Sequence, residues 1–130
     1  MDDNFYFLKD FCDRSGKSSR IVHIGRTRST TKFAFRAFRY ESPDSEGRVM
    51  VRSYADVLDF LTRTDGQIRT GSGTLYSFAG FQEHVQGCSL RGPITVETLM
   101  APEMYTAGNV VKIWYDEEGN LFWDVDFEQL

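Results

Sequence analysis

Long apolar runs are missing. No stretch approaches the roughly 18 residues that a spanning helix requires, so no membrane partner is expected. Cysteine is scarce, with only Cys12 and Cys88, and there is no C-x-x-C. The N-terminus, Met1-Asp2-Asp3-Asn4, is acidic where a secretory signal would be basic. Two thiols without such a signal point to a reducing compartment, and the expected location is cytoplasmic. Histidine is equally rare. A zinc site would need His23, His84, Cys12 and Cys88 to converge. His84 and Cys88 have helical i, i+4 spacing, but Gly87 is expected to end that helix and turn Cys88 away. No metal and no cofactor is therefore expected. Ser-His-Asp, H-E-x-x-H and G-x-S-x-G patterns are all absent, so no catalytic residue follows from a motif. Gly71-Ser72-Gly73 reads as a flexible loop, not a phosphate loop, because no G-K-S/T follows it.

What is present is ordinary globular composition, 41% apolar and 26% charged, in 130 residues. That length suits one domain over residues 1–130, able to fold on its own core. The net charge of −4 hides an asymmetry. Residues 14–39 hold Arg14, Lys17, Arg20, Arg26, Arg28, Lys32, Arg36 and Arg39 and no acid, whereas residues 41–130 hold 15 acids against 6 bases. A basic segment in an acidic protein is a local field. Phe33, Phe35, Phe38 and Tyr40 interleave with its last bases, a pattern suited to phosphate contact with base stacking. The competing expectation is that these arginines pair internally with the acidic C-terminal half and that the aromatics are core.

Periodicity suggests the elements. Phe5, Leu8 and Cys12, widened by Phe7 and Phe11, predict a helix over residues 4–13, stopped by Ser15-Gly16. Residues 20–25 read as a strand, 27–31 as a polar connection, and 32–40 as strand or helix. Ser42 to Gly47 is a turn by composition, and 48–52 a strand. Ser53, with Asp56 three residues on, caps a helix whose buried stripe is Tyr54, Val57, Leu58 and Leu61. Residues 75–81 fit strand or helix, and 94–100 fit one or two helical turns before Pro102.

The C-terminus predicts a hairpin. Residues 109–115 and 121–127 flank Asp116-Glu117-Glu118-Gly119-Asn120. Pairing Tyr115 with Leu121, Ile113 with Trp123 and Val111 with Val125 makes one apolar face. The other face pairs Lys112 with Asp124 and Trp114 with Phe122, leaving an aromatic pair as a candidate exposed patch. Asp124, Asp126 and Glu128 alternate along the last strand as a solvated acidic face.

Two resemblances read the basic segment in opposite ways. Phe33-Ala34-Phe35-Arg36-Ala37-Phe38 resembles the aromatic strand element of RNA-recognition motifs, with Lys32 in the place of a glycine and Arg36 in that of an aliphatic residue. Phe5-Tyr6-Phe7, His23-Ile24-Gly25-Arg26-Thr27 and Arg36-x-x-x-Tyr40 are similar to the core of GIY-YIG nucleases. That resemblance implies Tyr6 and His23 at the two motif tyrosines, Arg36 on a helix contacting phosphate, and Tyr40 one turn further. It also implies a metal-binding acid on a later helix, for which Asp56, Asp59 and Glu83 are available.

The expectation is a single α+β domain, an antiparallel sheet ending in the hairpin with helices mainly on one face. The function expected is non-catalytic binding, of the inhibitor or adaptor type, and an origin in a virus or mobile element would suit such a chain. Its surface is Arg26, Arg28, Lys32, Arg36, Arg39, Tyr40, Trp114 and Phe122. The partner is a nucleic acid or an acidic protein engaged through residues 14–40, with exposed aromatics available for self-association. The alternative is a metal-dependent nuclease using Tyr6, His23, Arg36 and Tyr40.

Overall fold

A computed structural model describes residues 3–27, 32–41, 48–88 and 110–126. Among these, β1 (Asp3–Lys9), β2 (Arg20–Thr27) and β3 (Ala34–Arg36) are followed by β4 (Phe38–Glu41) and β5 (Arg48–Val51). Then come α1 (Tyr54–Arg63), β6 (Gly66–Thr70), β7 (Leu75–Tyr76), α2 (Phe78–Cys88), β8 (Val110–Tyr115) and β9 (Leu121–Asp126). Seven strands form one sheet in the order β7-β6-β1-β2-β3-β9-β8, and β4 and β5 pair separately. The fold is α+β. All pairs are antiparallel except β3 with β9, which run parallel.

The helix expected over residues 4–13 is a strand. Phe5 and Phe7 are buried while Asn4, Tyr6 and Leu8 are half-buried, a period of two rather than 3.6. The residues that fit a helical stripe fit this alternation as well. β1 hydrogen-bonds to β2 on one side and β6 on the other, and those distant partners decide the matter. Its pairing with β2 shifts register between Phe5 and Tyr6, so that Phe5 faces Gly25 and Tyr6 faces His23. Glycine at 25 is required by close approach. A Cβ there would stand 2.4 Å from the Phe33 ring and 2.7 Å from the Ala34 carbonyl oxygen.

Both helices cover one face of the sheet. Phe60 of α1 meets Phe7 edge-on at 5.1 Å, and Phe81 of α2 meets Phe5, Phe33 and Phe35. Phe5, Phe35, Phe81 and Phe122 are completely buried, which makes this face the core. Val57, Phe60 and Leu61 are the buried stripe of α1; the expected Leu58 is half-buried because Phe60 faces the sheet instead. Ser53 caps α1 as expected, its Oγ accepting from Asp56 N at 3.2 Å. Tyr54 N, an orphan donor of the first turn, donates to Asp116 Oδ2 at 2.9 Å and ties the helix to the β8–β9 turn.

Residues 32–40 resolve into extended backbone, with β3 and β4 separated at Ala37. The stretch at 71–73 is a hydrogen-bonded turn, Gly73 N donating to Thr70 O and Ser72 Oγ to Asp3. The hairpin has the expected register throughout, from Val110 with Asp126 to Tyr115 with Leu121. Gly119 takes φ +85° in its turn, while Asp116 Oδ1 accepts from Glu118 N and Asn120 N. The outcome differs at its faces. Leu121, Phe122 and Trp123 are all buried, because β9 lies beside β3 and both of its faces are covered. The connection at 28–31, the turn at 42–47, the helical turns at 94–100, and Asn109, Phe127 and Glu128 at the hairpin ends lie outside the described residues.

Candidate binding face

Alternation puts apolar residues of β1, β2, β3 and β6 under the helices and a different set on the sheet's second face. That set includes Asn4, Tyr6, His23, Arg26, Arg36 and Arg69, all half-buried. Asp3 is the only carboxylate of these four strands. It shares the helix-side alternation with Phe5 and accepts from Ser72 Oγ at 2.6 Å.

The side chains form a row running across the strands. Arg69 pairs with Tyr6, Tyr6 pairs with His23, and Arg36 pairs with Trp123. The Tyr6 and His23 rings lie 5.1 Å apart, and His23 meets Trp123 edge-on at 5.9 Å. The Arg36 guanidinium lies over the Trp123 ring at 5.5 Å, and that of Arg69 over Phe11 at 4.9 Å. The row therefore sets two guanidiniums among three rings over five adjacent strands.

His23 sits at its centre in a defined protonation state. Nε2 is 3.0 Å from Gly25 O and 3.1 Å from Asn4 Oδ1. A carbonyl oxygen only accepts, so Nε2 carries the hydrogen and the neutral ring leaves Nδ1 as a bare acceptor. Burial holds the imidazole pKa down at about 4, with the Arg36 and Arg26 charges adding to the effect against the bond to Gly25. Asn4 Oδ1 also accepts from Arg26 Nε at 3.2 Å. Burial lowers the Arg36 pKa from its usual value, and Asp124 opposes that. Trp123 Nε1 and Arg69 Nε are sealed from solvent without a hydrogen-bond acceptor among the described residues.

The expected site residues divide. Arg26 and Arg36 share this face with Tyr6 and His23. Tyr40 does not join them. It lies on β4 against Phe60, ring centroids 4.7 Å apart, and burial raises its pKa. Arg39 is exposed on β4, its Nε 2.9 Å from Met50 Sδ and its carbonyl accepting from Arg20. Lys32 stands over the exposed Tyr115 ring at 5.9 Å. Arg28 lies outside the described residues. Trp114 and Phe122 are not an exposed pair. Phe122 is fully buried between Trp114 and Phe35, and Trp114 Nε1 donates to Arg52 O at 3.2 Å. Arg52, at the entry to α1, lies over Trp114 with its guanidinium 5.1 Å from the ring, and Phe122 presents no exposed ring.

Both resemblances meet structural obstacles. The RNA-recognition element needs aromatics on an open sheet face, and Phe33, Phe35 and Phe38 are buried. The nuclease core needs Arg36 on a helix, and Arg36 ends β3. Gly87 does not end α2, which runs to Cys88 because that thiol docks into the core. His84 and Cys88 consequently do share a face. His84 Nε2 is 3.0 Å from Thr27 Oγ1 and 3.8 Å from Cys88 Sγ, with the Phe5 ring 5.0 Å from the imidazole. No cluster of three or more His, Cys, Asp or Glu suited to a metal ion occurs among the described residues. Likewise, no helix among them is long and apolar enough to cross a membrane.

Asn4, Arg69 and Trp123 belong to this face, and sequence reasoning missed them as site residues. The signal for Arg69 was the alternation Gln67-Ile68-Arg69-Thr70, legible only once β6 is recognised as a strand. No protein-family model, no curated protein and no solved structure matches the chain.

Proposed function

We propose that the protein is a non-catalytic binding protein that holds single-stranded nucleic acid across the second face of its sheet. The observation that carries this reading is the cation–ring row from Arg69 through Tyr6, His23 and Arg36 to Trp123. Guanidinium groups take phosphates, and ring faces that reach solvent take bases regardless of their identity; those are the half-buried Tyr6 and His23, while Trp123 is buried and backs the Arg36 guanidinium. Among the described residues of β1, β2, β3 and β6 this face carries no carboxylate, which in a chain of net charge −4 favours attraction at this surface. The half-buried Tyr6 and Phe11 rings and the exposed Ile21 and Leu75 supply apolar area beside the cations.

Affinity for an oligothymidylate, measured against salt, tests the reading. Log K should fall linearly with log salt, by about 0.7 for each phosphate neutralised on a single strand. Arg36→Ala and Arg69→Ala should each reduce that slope by about one such step, whereas Arg39→Ala, on the separate β4–β5 pair, should leave it unchanged. Absence of binding at low salt, or capture of an acidic protein through the same arginines instead, would overturn it.

The nuclease reading keeps one favourable observation, the proximity of Tyr6, His23 and Arg36. Magnesium-dependent nicking of plasmid DNA that is lost in Arg36→Ala would establish it in place of binding alone.

A further inference from the structure

The second face holds a neutral imidazole among cations, an arrangement that a simple anion cradle does not need. His23 is tied down at one nitrogen only. Its Nε2–H donates to Gly25 O and Asn4 Oδ1, while Nδ1 has no partner among the described residues and is not one of the sealed polar atoms. Protonation at Nδ1 would therefore break no existing hydrogen bond. We propose that a phosphate group of the bound strand seats against Arg26, His23 and Arg36 and brings a proton onto His23 Nδ1, so that binding at this face is coupled to proton uptake.

The inference rests on the binding reading above and adds its regulation. The step is one proton taken from solvent and one N–H bond formed at Nδ1, with no other covalent change. The charged and titratable groups around His23 set its direction. The Tyr6 ring lies tilted against the imidazole from β1, Arg26 follows on β2, and Arg36 approaches from β3. Trp123 and Asp124 lie on β9, with Asp124 acting on Arg36, and Arg69 stands beyond Tyr6 on β6. Among the described residues the nearest charges to the ring are thus two guanidiniums, which oppose a further positive charge on it. A phosphate dianion or diester placed among them reverses that balance. It brings negative charge beside the ring and offers an oxygen to accept from the new Nδ1–H. The Arg26–Asn4–His23 hydrogen bonds give the two ends of the subsite a shared support, because Asn4 Oδ1 accepts from both.

Two measurements on the full chain decide the matter. Affinity for an oligothymidylate at constant salt should rise as pH falls from 7 to 5, approaching roughly tenfold per pH unit at its steepest, the limit for one linked proton. In His23→Gln, which retains an amide donor for Gly25 O but cannot titrate, affinity should vary by less than about twofold over the same range. Independently, the His23 imidazole resonances of the wild-type protein should titrate at higher pH with oligothymidylate bound than without it. Strand binding that keeps its salt dependence but is independent of pH, with His23 titrating alike free and bound, overturns the proton coupling and leaves the binding reading standing. No binding at any pH overturns both.

Discussion

The two faces of the same sheet make opposite use of the same strands. On the helix side, Phe5, Phe7, Val22, Ile24, Phe35 and Phe122 are buried, and their rings pack at centroid distances near those of edge-on and offset pairs. On the other side, the intervening residues are Asn4, Tyr6, His23, Arg26 and Arg36, half-buried and joined by hydrogen bonds and cation–ring contacts. The first set holds the fold together by area removed from water. The second set is arranged around charge, and gains little from burial. A strand thus carries stability on one parity of its residues and recognition on the other, with the backbone common to both.

The largest effects should come from the covered face. Phe35→Ala should cost about 3–5 kcal/mol in chemical denaturation, since it removes a fully buried ring from between Phe33, Tyr54 and Phe122. Tyr6→Ala should cost far less. Equal losses would show that the second face is as much a core as the first.

Acid should strike the second face first. Folding lowers the His23 pKa from 6.5 to about 4, so the unfolded chain takes up the proton earlier as pH falls. The stabilisation tied to the neutral imidazole is complete above pH 6.5 and is lost as pH drops through about 4. Its size is at most about 3–4 kcal/mol at 1.4 kcal/mol per pKa unit. Denaturation curves of His23→Gln should lack this component between those two pH values. An unchanged acid slope in the variant would place the loss elsewhere.

Smaller effects separate the helices from the sheet. Ser53→Ala should cost about 1 kcal/mol, because the amide of Asp56 loses its acceptor. At the far end of α1, Arg63 and Asp59 form an exposed i, i+4 ion pair at 2.8 Å. Arg63→Ala should change stability by no more than about 0.5 kcal/mol, and less at high salt. A larger loss would mean that α1 uses its solvent side to dock as well.

The hairpin and the α1 cap were legible because their determinants are local. Gly119 and Asn120 close the turn, polarity alternates on both flanks, and Ser53 and Asp56 are three residues apart. β1 was not legible as a strand, because Phe5, Leu8 and Cys12 fit a helical period while Phe5 and Phe7 fit a strand. The choice is made by β6, far along the chain. The same remoteness hid the burial of Phe122. An isolated hairpin leaves Trp114 and Phe122 on its mixed face, and only the parallel pairing with β3 brings Phe35 against Phe122. Within the site, Arg26 and Arg36 were legible from charge and Tyr6 and His23 from a resemblance. Tyr40 departed because the chain switches sheets at Ala37.

The register shift opposite Phe5 works as a phase change in the chain's odd–even count. In a regular strand, His23 and Arg26 are three positions apart and would point to opposite sides. The extra residue in β2 cancels one step, so odd-numbered His23 and even-numbered Arg26 both meet Asn4 Oδ1. Deleting Ile24 or Gly25 would remove the extra residue and leave the two side chains two positions apart, on one side by ordinary counting. The count at this point of β2 therefore has to be read through the extra residue: the two-against-one pairing is what sets an odd and an even position on one side of the sheet.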